Sequence, residues 1–202
     1  MKNIDSHSHV RGESVYLDDI PLVHGTLFAC VFDSPVAHGK LKSIDTSEAE
    51  KSDGVHRVIT AKDLIGENQI GGIIPDEPLL ADDEVHFQGM PIAVVLAESE
   101  ELARKAAKKI TAQIDPLPVV TDPRVAAANG DLIVPPKKFV LGDTDDAFQN
   151  CEHIFESRTE QNGQEHLYIE TQGAYAVPTE SGGLRLYSST QGPTAVQRAV
   201  CR

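Results

Sequence analysis

The stretch IAVVLAESEELARKAAKKI, residues 92–110, decides the fold of this protein. It begins with a continuous apolar run from Ile92 to Ala97, which predicts a buried strand. Ser99 is a favourable N-cap and predicts a helix that continues to about Ile110. The inner face of this helix consists of Leu102, Ala103, Ala106, Ala107 and Ile110. Small residues on that face allow the helix to lie close against a sheet, so the stretch predicts a structural scaffold.

Short strand patterns on both sides of this stretch extend it into a mixed domain. Apolar runs and alternating patterns predict strands at 26–32, 41–44, 55–59 and 111–115. Thr60 predicts the start of a short helical turn at 61–64. Because strands and helices are interspersed along this half of the chain, we expect an α+β domain over residues 1–115.

The composition changes after this domain. Residues 116–139 are rich in proline and predict a connecting segment with one short helix at 123–128. Three β-rich runs at 152–160, 165–179 and 184–189 predict a meander that opens a second domain. Pro193 then predicts the start of a helix, and the sequence ends within that pattern. We therefore expect residues 140–202 to be the truncated start of a domain whose remainder lies beyond Arg202.

The overall composition excludes several classes of protein. The 202 residues are 40% hydrophobic and carry a net charge of −13, so a packed soluble fold is expected and nucleic acid or an anionic membrane would be repelled. No apolar run approaches the roughly 20 residues of a spanning helix. Cys30, Cys151 and Cys201 are odd in number and far apart, which predicts reduced thiols that serve as packing residues in a cytoplasmic protein.

The polar motifs form no self-contained active site. His7-Ser8-His9 resembles a metal-binding pair, but no further ligands accompany it, so a solvated N-terminal tail is the simpler interpretation. The histidines at 24, 38, 56, 86, 153 and 166 show no metal-ligand spacing. The acidic clusters at 18–19, 82–84 and 143–146 are typical of solvated turns and helix caps. We expect no catalytic residue and no metal ligand within this chain.

Four stretches resemble, in order and spacing, the molybdenum-binding subunit of the xanthine dehydrogenase and aldehyde oxidase family. They are RGESVYLDDIP at 11–21, AHGKLKSIDTSEA at 37–49, VHFQGMPI at 85–92 and GQEHLYIET at 163–171. The last, together with YAVP at 175–178 and SSTQ at 188–191, is most similar to the xanthine dehydrogenase branch. Ser14 stands where the family commonly has alanine, and Ser52-Asp53-Gly54 replaces a Pro-Gly step.

The resemblance implies a fold and an activity. Residues 1–115 would form the family's α/β hammerhead domain, and residues 140–202 would begin its first molybdopterin-binding domain. Members of the family hydroxylate an sp² carbon of a purine or an aldehyde with oxygen from water. Their electrons pass through iron–sulfur clusters and FAD, which here would lie on a partner chain or domain, to NAD. The resemblance thus implies a purine-hydroxylating enzyme that contains a molybdopterin-type molybdenum cofactor.

Gln191 is the one residue of this chain that matches the family's active site. It is similar to the glutamine that contacts an oxo group of the cofactor in the intact enzyme. The amide could instead satisfy free backbone groups at the start of the following helix. The family's glycine-rich Phe-Gly loop, base glutamate and substrate-binding arginine all come later than Arg202. We therefore expect the 202-residue chain to bind no cofactor and to be inactive alone.

Three further alternatives remain open at this stage. Glu165, His166 and Glu170 could line the approach to the cofactor, although a wetted sheet face is the simpler interpretation. The chain could be a non-catalytic binding or assembly module with the hammerhead fold, or it could belong to an enzyme with an aldehyde substrate. An exposed sheet edge in the last part of the chain also favours a homo-oligomer.

Overall fold

The computed structural model describes residues 4–168 and 170–201. The chain divides into two units, of which the first comprises Met1–Val119 with Ile169–Arg202 and the second comprises Val120–Tyr168. The strands in the described residues are β1 (Phe28–Asp33), β2 (Gly39–Asp45), β3 (Val55–Thr60), β4 (Glu84–Val85), β5 (Pro91–Ala97), β6 (Thr111–Pro116), β7 (Ala174–Pro178) and β8 (Leu184–Ser188). The α-helices are α1 (Ser6–Arg11), α2 (Ser47–Glu50), α3 (Glu100–Ala107), α4 (Pro123–Asn129), α5 (Thr144–Gln149) and α6 (Pro193–Val200).

The predicted strand and helix at 92–110 form the centre of the first unit. Strand β5 lies between β1 and β3 in an antiparallel sheet, so both of its edges are paired. Helix α3 packs on this sheet, and the Ser99 hydroxyl accepts a hydrogen bond from the Leu102 amide as the expected N-cap. The buried cluster beneath it consists of Ala49, Val58, Ala93, Val95, Ala106, Ala107 and Ile110. The helix ends earlier than predicted, because the amides of Lys109 and Ile110 turn back to form i→i−3 bonds.

A second antiparallel sheet has the order β4-β2-β6 and covers a second apolar cluster. This cluster consists of Leu41, Ala81, Val85, Met90 and Ile92. Gly39 lies at the start of β2, where a Cβ atom would come 2.6 Å from Cγ2 of Ile114 and 2.8 Å from the Asp115 carbonyl oxygen. Only glycine therefore allows β2 to approach β6 this closely at this position.

The last part of the first unit is a hairpin followed by a helix. Strands β7 and β8 pair only with each other among the described residues, and α6 contains no buried residue. The hairpin contacts the N-terminal segment, since the amide of Leu17 donates to the Glu170 carboxylate at 2.8 Å and the amide of Val23 donates to the Tyr175 hydroxyl at 2.9 Å. This part of the unit is held by polar contacts more than by an apolar core.

The second unit differs from the sequence prediction. Residues 152–160 alternate in polarity and predict a strand, yet they are irregular and exposed, as is most of 165–168. Phe155 is 92% exposed, so the apolar side of the pattern has no surface to cover. The alternation was therefore a wrong indicator of a strand in this unit, whose residues fold into α4, α5 and irregular segments.

Two smaller expectations also need correction. The tail that contains His7 and His9 forms the short helix α1, although its side chains are largely exposed. Cys30 packs against the first cluster as predicted, whereas Cys151 and Cys201 are exposed and do not serve as packing residues.

No helix in the described residues has the length and apolar character needed to cross a membrane. The domain boundaries expected at 115 and 140 stay a prediction.

Replacement of Ala106 by leucine should lower the free energy of unfolding by about 1–3 kcal/mol, because Ala106 is fully buried and leaves no room for a larger side chain. The matched control is Ala127→Leu, at an exposed position of α4, which should have little effect. Urea denaturation of both variants measures the difference. Equal effects at the two positions would contradict the close packing of α3.

Asp63 should make stability depend on pH in the acid range. Its carboxylate accepts hydrogen bonds of 2.8 Å from the amide and the hydroxyl of Thr60, and these hold the pKa of Asp63 below its usual value, with help from Arg57. A lowered folded-state pKa stabilises the fold above the unfolded-state pKa, and this contribution is lost as the pH falls through the folded value. Asp63→Asn should therefore destabilise the protein at neutral pH, and the difference from the parent should shrink on acidification. Asp53→Asn, at an exposed aspartate, is the control.

Candidate functional site

Gln191 lies in the turn that connects strand β8 to helix α6. Ser188 is the last strand residue, and Pro193 is the first residue of the helix. Proline is favourable there because its ring presets a helical φ and its missing N–H would have no helical partner. Gln191 is thereby placed just before the N-terminus of a helix.

Hydrogen bonds fix the turn on both sides of Gln191. The Ser189 hydroxyl accepts from the Gly173 amide at 2.8 Å, and it donates to the carbonyl of Thr171 at 3.1 Å or of Gly173 at 3.3 Å. The Ser189 amide donates to the Gly173 carbonyl at 3.1 Å. After the turn, the Gly192 amide donates to the Thr190 hydroxyl at 3.0 Å. The backbone at Gln191 is therefore held between two fixed neighbours.

The Gln191 side chain is exposed and free to bind a ligand. Gly192, not Gln191, occupies the N-cap position, and no side chain caps α6. Within residues 4–168 and 170–201, the Gln191 amide has no hydrogen-bond partner. The amide therefore does not satisfy the backbone at the helix start, which was the alternative role considered for it. An amide N–H donor of this kind fits one contact to an oxo group, but it does not make a complete cofactor site.

The other polar residues of this region have different surroundings. Glu170 is half-buried and accepts the Leu17 amide at 2.8 Å, so its carboxylate has a structural partner. Glu165 and His166 lie in the second unit, and both are exposed. The Glu165 carboxylate accepts a hydrogen bond from the His166 amide at 2.9 Å. We assign no functional role to these three residues.

The structure assembles a second polar cluster that the sequence did not reveal. Strands β2 and β4 pair Gly39 with Val85 and Lys40 with Glu84. Continuing this register places His38 opposite His86, and the alternation of side chains puts His38, Lys40, Glu84 and His86 on one face. The Nε2 atom of His38 lies 2.8 Å from Oε1 of Glu84, and Nδ1 of His86 lies 3.8 Å from the same oxygen. We call these four residues the His38 cluster.

Hydrogen bonds determine the charges in the His38 cluster. The ammonium of Lys40 donates to Oε2 of Glu84, and together with His38 it lowers the pKa of Glu84 to about 2. Nδ1 of His38 donates to the Pro118 carbonyl at 2.8 Å, and this bond, followed by the contact with Glu84, raises the pKa of His38. The cluster thus holds a carboxylate that remains ionised at neutral pH.

The sequence contains no local signal for this cluster. Its two halves are far apart in the chain, and β4 has only two residues, so no periodic pattern predicts that β2 and β4 pair. The opposition of His38 and His86 follows only once the register of β2 and β4 is known.

Comparison with protein families finds two matches that together cover most of the chain. A family model described as "Aldehyde oxidase and xanthine dehydrogenase, a/b hammerhead domain" matches residues 11–118. A model described as "Molybdopterin cofactor-binding domain" matches residues 128–202. The predicted fold class, an α+β hammerhead domain followed by the beginning of a molybdopterin-binding domain, is confirmed.

Curated relatives cover nearly all of the chain. The chain is 34% identical over 192 residues to xanthine dehydrogenase of Calliphora vicina. This alignment covers 94% of this chain and 14% of the relative. The chain is also 37% identical over 194 residues to aldehyde oxidase 2 of Cavia porcellus. This alignment covers 95% of this chain and 14% of the relative. The chain therefore spans about one seventh of the length of these relatives.

A solved structure agrees with this similarity. The aldehyde oxidoreductase from Desulfovibrio gigas superposes with a TM-score of 0.74 at 32% sequence identity. The match covers 92% of this chain and 23% of that chain.

Replacement of Ser189 by alanine should loosen the turn that carries Gln191. The Gly173 amide would lose its partner at 2.8 Å, and an unsatisfied group of this kind costs about 1–3 kcal/mol. Hydrogen exchange at the Gly173 amide should therefore become faster in Ser189→Ala than in the parent protein. Ser181→Ala, in the exposed turn between β7 and β8, is the control and should leave that amide unchanged. Unchanged exchange in Ser189→Ala would contradict the role of the hydroxyl.

Proposed function

Because the chain belongs to the aldehyde oxidase and xanthine dehydrogenase family, we propose that it forms the first part of a molybdenum hydroxylase subunit. The observation that carries this proposal is the successive match of residues 11–118 to a hammerhead model and of residues 128–202 to a molybdopterin cofactor-binding model. In this proposal residues 1–115 are the hammerhead domain, 116–139 the connection and 140–202 the start of the first cofactor-binding domain.

Gln191 is the proposed cofactor contact. A bound molybdopterin-type molybdenum cofactor supplies the redox centre and the Lewis acid with which such an enzyme adds water-derived oxygen to an sp² carbon. In this proposal the role of the chain is to donate a hydrogen bond from the side-chain amide of Gln191 to an oxo group of the cofactor. The bonds of Ser189 and Thr190 hold the backbone of the turn that carries Gln191, and the lack of a partner for its side-chain amide in the described residues supports the assignment.

A purine is the proposed substrate. The stretch at 163–171, together with 175–178 and 188–191, resembles the xanthine dehydrogenase branch, in which a purine is hydroxylated. An aldehyde is the second candidate, because the relatives include an aldehyde oxidase of similar identity. A place in purine catabolism follows from the first candidate only.

We propose that the electron acceptors lie on a partner chain or domain. Iron–sulfur clusters of the common types need four cysteine ligands, whereas this chain has three cysteines, of which Cys30 packs in the core. We therefore propose an FAD and iron–sulfur subunit or domain as the partner, with a homo-oligomer as the complete assembly. The three unpaired thiols support a cytoplasmic location.

The chain by itself is proposed to be inactive. Helix α6 buries no residue, and the hairpin β7–β8 has no further strand among the described residues, so this end lacks the surroundings of a cofactor site. A non-catalytic binding or assembly module is the competing interpretation, and it also predicts no turnover. The two interpretations differ in whether Gln191 matters to an enzyme that contains this chain.

Purified 202-residue chain should contain no molybdenum and should reduce no dye with xanthine or with an aldehyde. Metal analysis and dye reduction under both substrates check this expectation. Real turnover by the isolated chain would contradict the proposed inactivity, and the substrate that supported it would identify the class.

Gln191→Ala should lower the rate of substrate oxidation in an intact enzyme that contains this chain. A hydrogen bond to a charged group contributes about 1.5–3 kcal/mol, which corresponds to a rate loss of about 10- to 100-fold. Gln197→Ala changes the same residue type at an exposed position of α6 and should leave the rate unchanged. Steady-state oxidation of xanthine and of an aldehyde measures both variants, and equal rates for parent and Gln191→Ala would contradict the proposed contact.

A further inference from the structure

We propose that His38, Glu84 and His86 bind a divalent transition-metal ion of the zinc type. One atom from each residue, two imidazole nitrogens and one carboxylate oxygen, lies within 4.8 Å of the others. This site lies in the hammerhead domain and is independent of the function proposed for Gln191.

The distances within the cluster suit a zinc ion. Ligand atoms around a tetrahedral zinc at about 2.0–2.1 Å lie roughly 3.3 Å from one another. The nitrogen of His38 lies 2.8 Å from the Glu84 oxygen and that of His86 lies 3.8 Å from it, so the observed values bracket the required separation. The fourth position would be taken by water, because His86 is open to solvent.

The hydrogen bond to Pro118 prepares His38 as a ligand. A carbonyl oxygen only accepts, so Nδ1 of His38 must carry the proton in this 2.8 Å bond. In the neutral ring, Nε2 then presents a lone pair directly to the Glu84 carboxylate. With a proton on Nε2 this 2.8 Å contact is a hydrogen bond to Oε1 of Glu84, and a bound metal ion would take the place of that proton. A backbone carbonyl that orients the second nitrogen of a histidine is a frequent feature of metal sites.

The surrounding structure holds the ligands without blocking the ion. Leu41 and Val85 point into the second apolar cluster, so the opposite face of the same strand pair keeps the three ligands outward. The Lys40 ammonium contacts Oε2 of Glu84 and leaves Oε1 toward the histidines. Lys40 therefore opposes a bound cation by repulsion, while the net charge of −13 attracts it.

The test is Zn²⁺ binding to the full 202-residue chain at neutral pH, measured by competition with a chromophoric chelator. We expect His86→Ala to weaken the tightest site at least tenfold. His56→Ala is the matched control, since it removes an exposed histidine beside a carboxylate, Glu98 at 3.5 Å, without a second histidine in the cluster. It should change the affinity less than twofold. Visible absorption of the Co²⁺-substituted protein should show a tetrahedral nitrogen and oxygen ligand set that disappears in His86→Ala.

The variant Lys40→Gln distinguishes two interpretations of the His38 cluster. It is either a metal site or a set of ion pairs whose only role is to hold β2 and β4 together. Removal of the ammonium should tighten Zn²⁺ binding by about threefold or more, because a like charge next to the ion is lost. A purely structural cluster would show no Zn²⁺ affinity that depends on His86, and that result would overturn the proposal. Weaker Zn²⁺ binding in Lys40→Gln would also overturn it.

Discussion

Strand β5 is buried through both of its faces, and the first unit is organised around this one constraint. Ala93 and Val95 contribute to the cluster beneath α3, while Ile92 contributes to the cluster beneath the second sheet. Phe32 and Ile44 contact both clusters, so the two sheets share one apolar interior. A polar side chain at Ile92, Ala93 or Val95 would leave an unsatisfied group in the cluster to which that residue contributes. The alanines of α3 follow from the same constraint, because only small side chains let the helix approach a strand already paired on both edges.

The sequence predicted the parts of the fold that depend on local chemistry. The strand at 92–97, the N-cap at Ser99, the helix at 123–128 and the turn after Thr60 all follow from residue types that act within a few positions. The prediction of a strand at 152–160 was wrong because a strand depends on contacts outside the segment. Alternating polarity indicates a strand only when a partner strand and an apolar surface exist, and neither lies in the sequence of the segment itself.

The two sites differ in how the sequence specifies them. Gln191 was identified by its resemblance to a family motif, and the structure adds that its amide has no partner in the described residues. The His38 cluster escaped prediction because it depends on the pairing of Lys40 with Glu84, a register that no short-range pattern determines. Gly39 is part of that register, because it pairs with Val85 of β4 and a Cβ atom at this position would collide with Ile114 and Asp115 of β6.

The location of each site also determines how well the chain can hold it. The His38 cluster lies on strands whose opposite face is buried. Packing of that face in the second apolar cluster restricts the motion of the strands and therefore of the ligands. Gln191 depends on a hairpin and a helix without buried residues, and its turn is held mainly by single hydrogen bonds of Ser189 and Thr190. Each such bond contributes about 1 kcal/mol, which holds the backbone of the turn but does not create the enclosed, water-free surroundings of a redox centre. The proposed metal site at the His38 cluster therefore lies on strands whose opposite face is packed, whereas the proposed cofactor contact of Gln191 lies beside a helix, α6, that contains no buried residue.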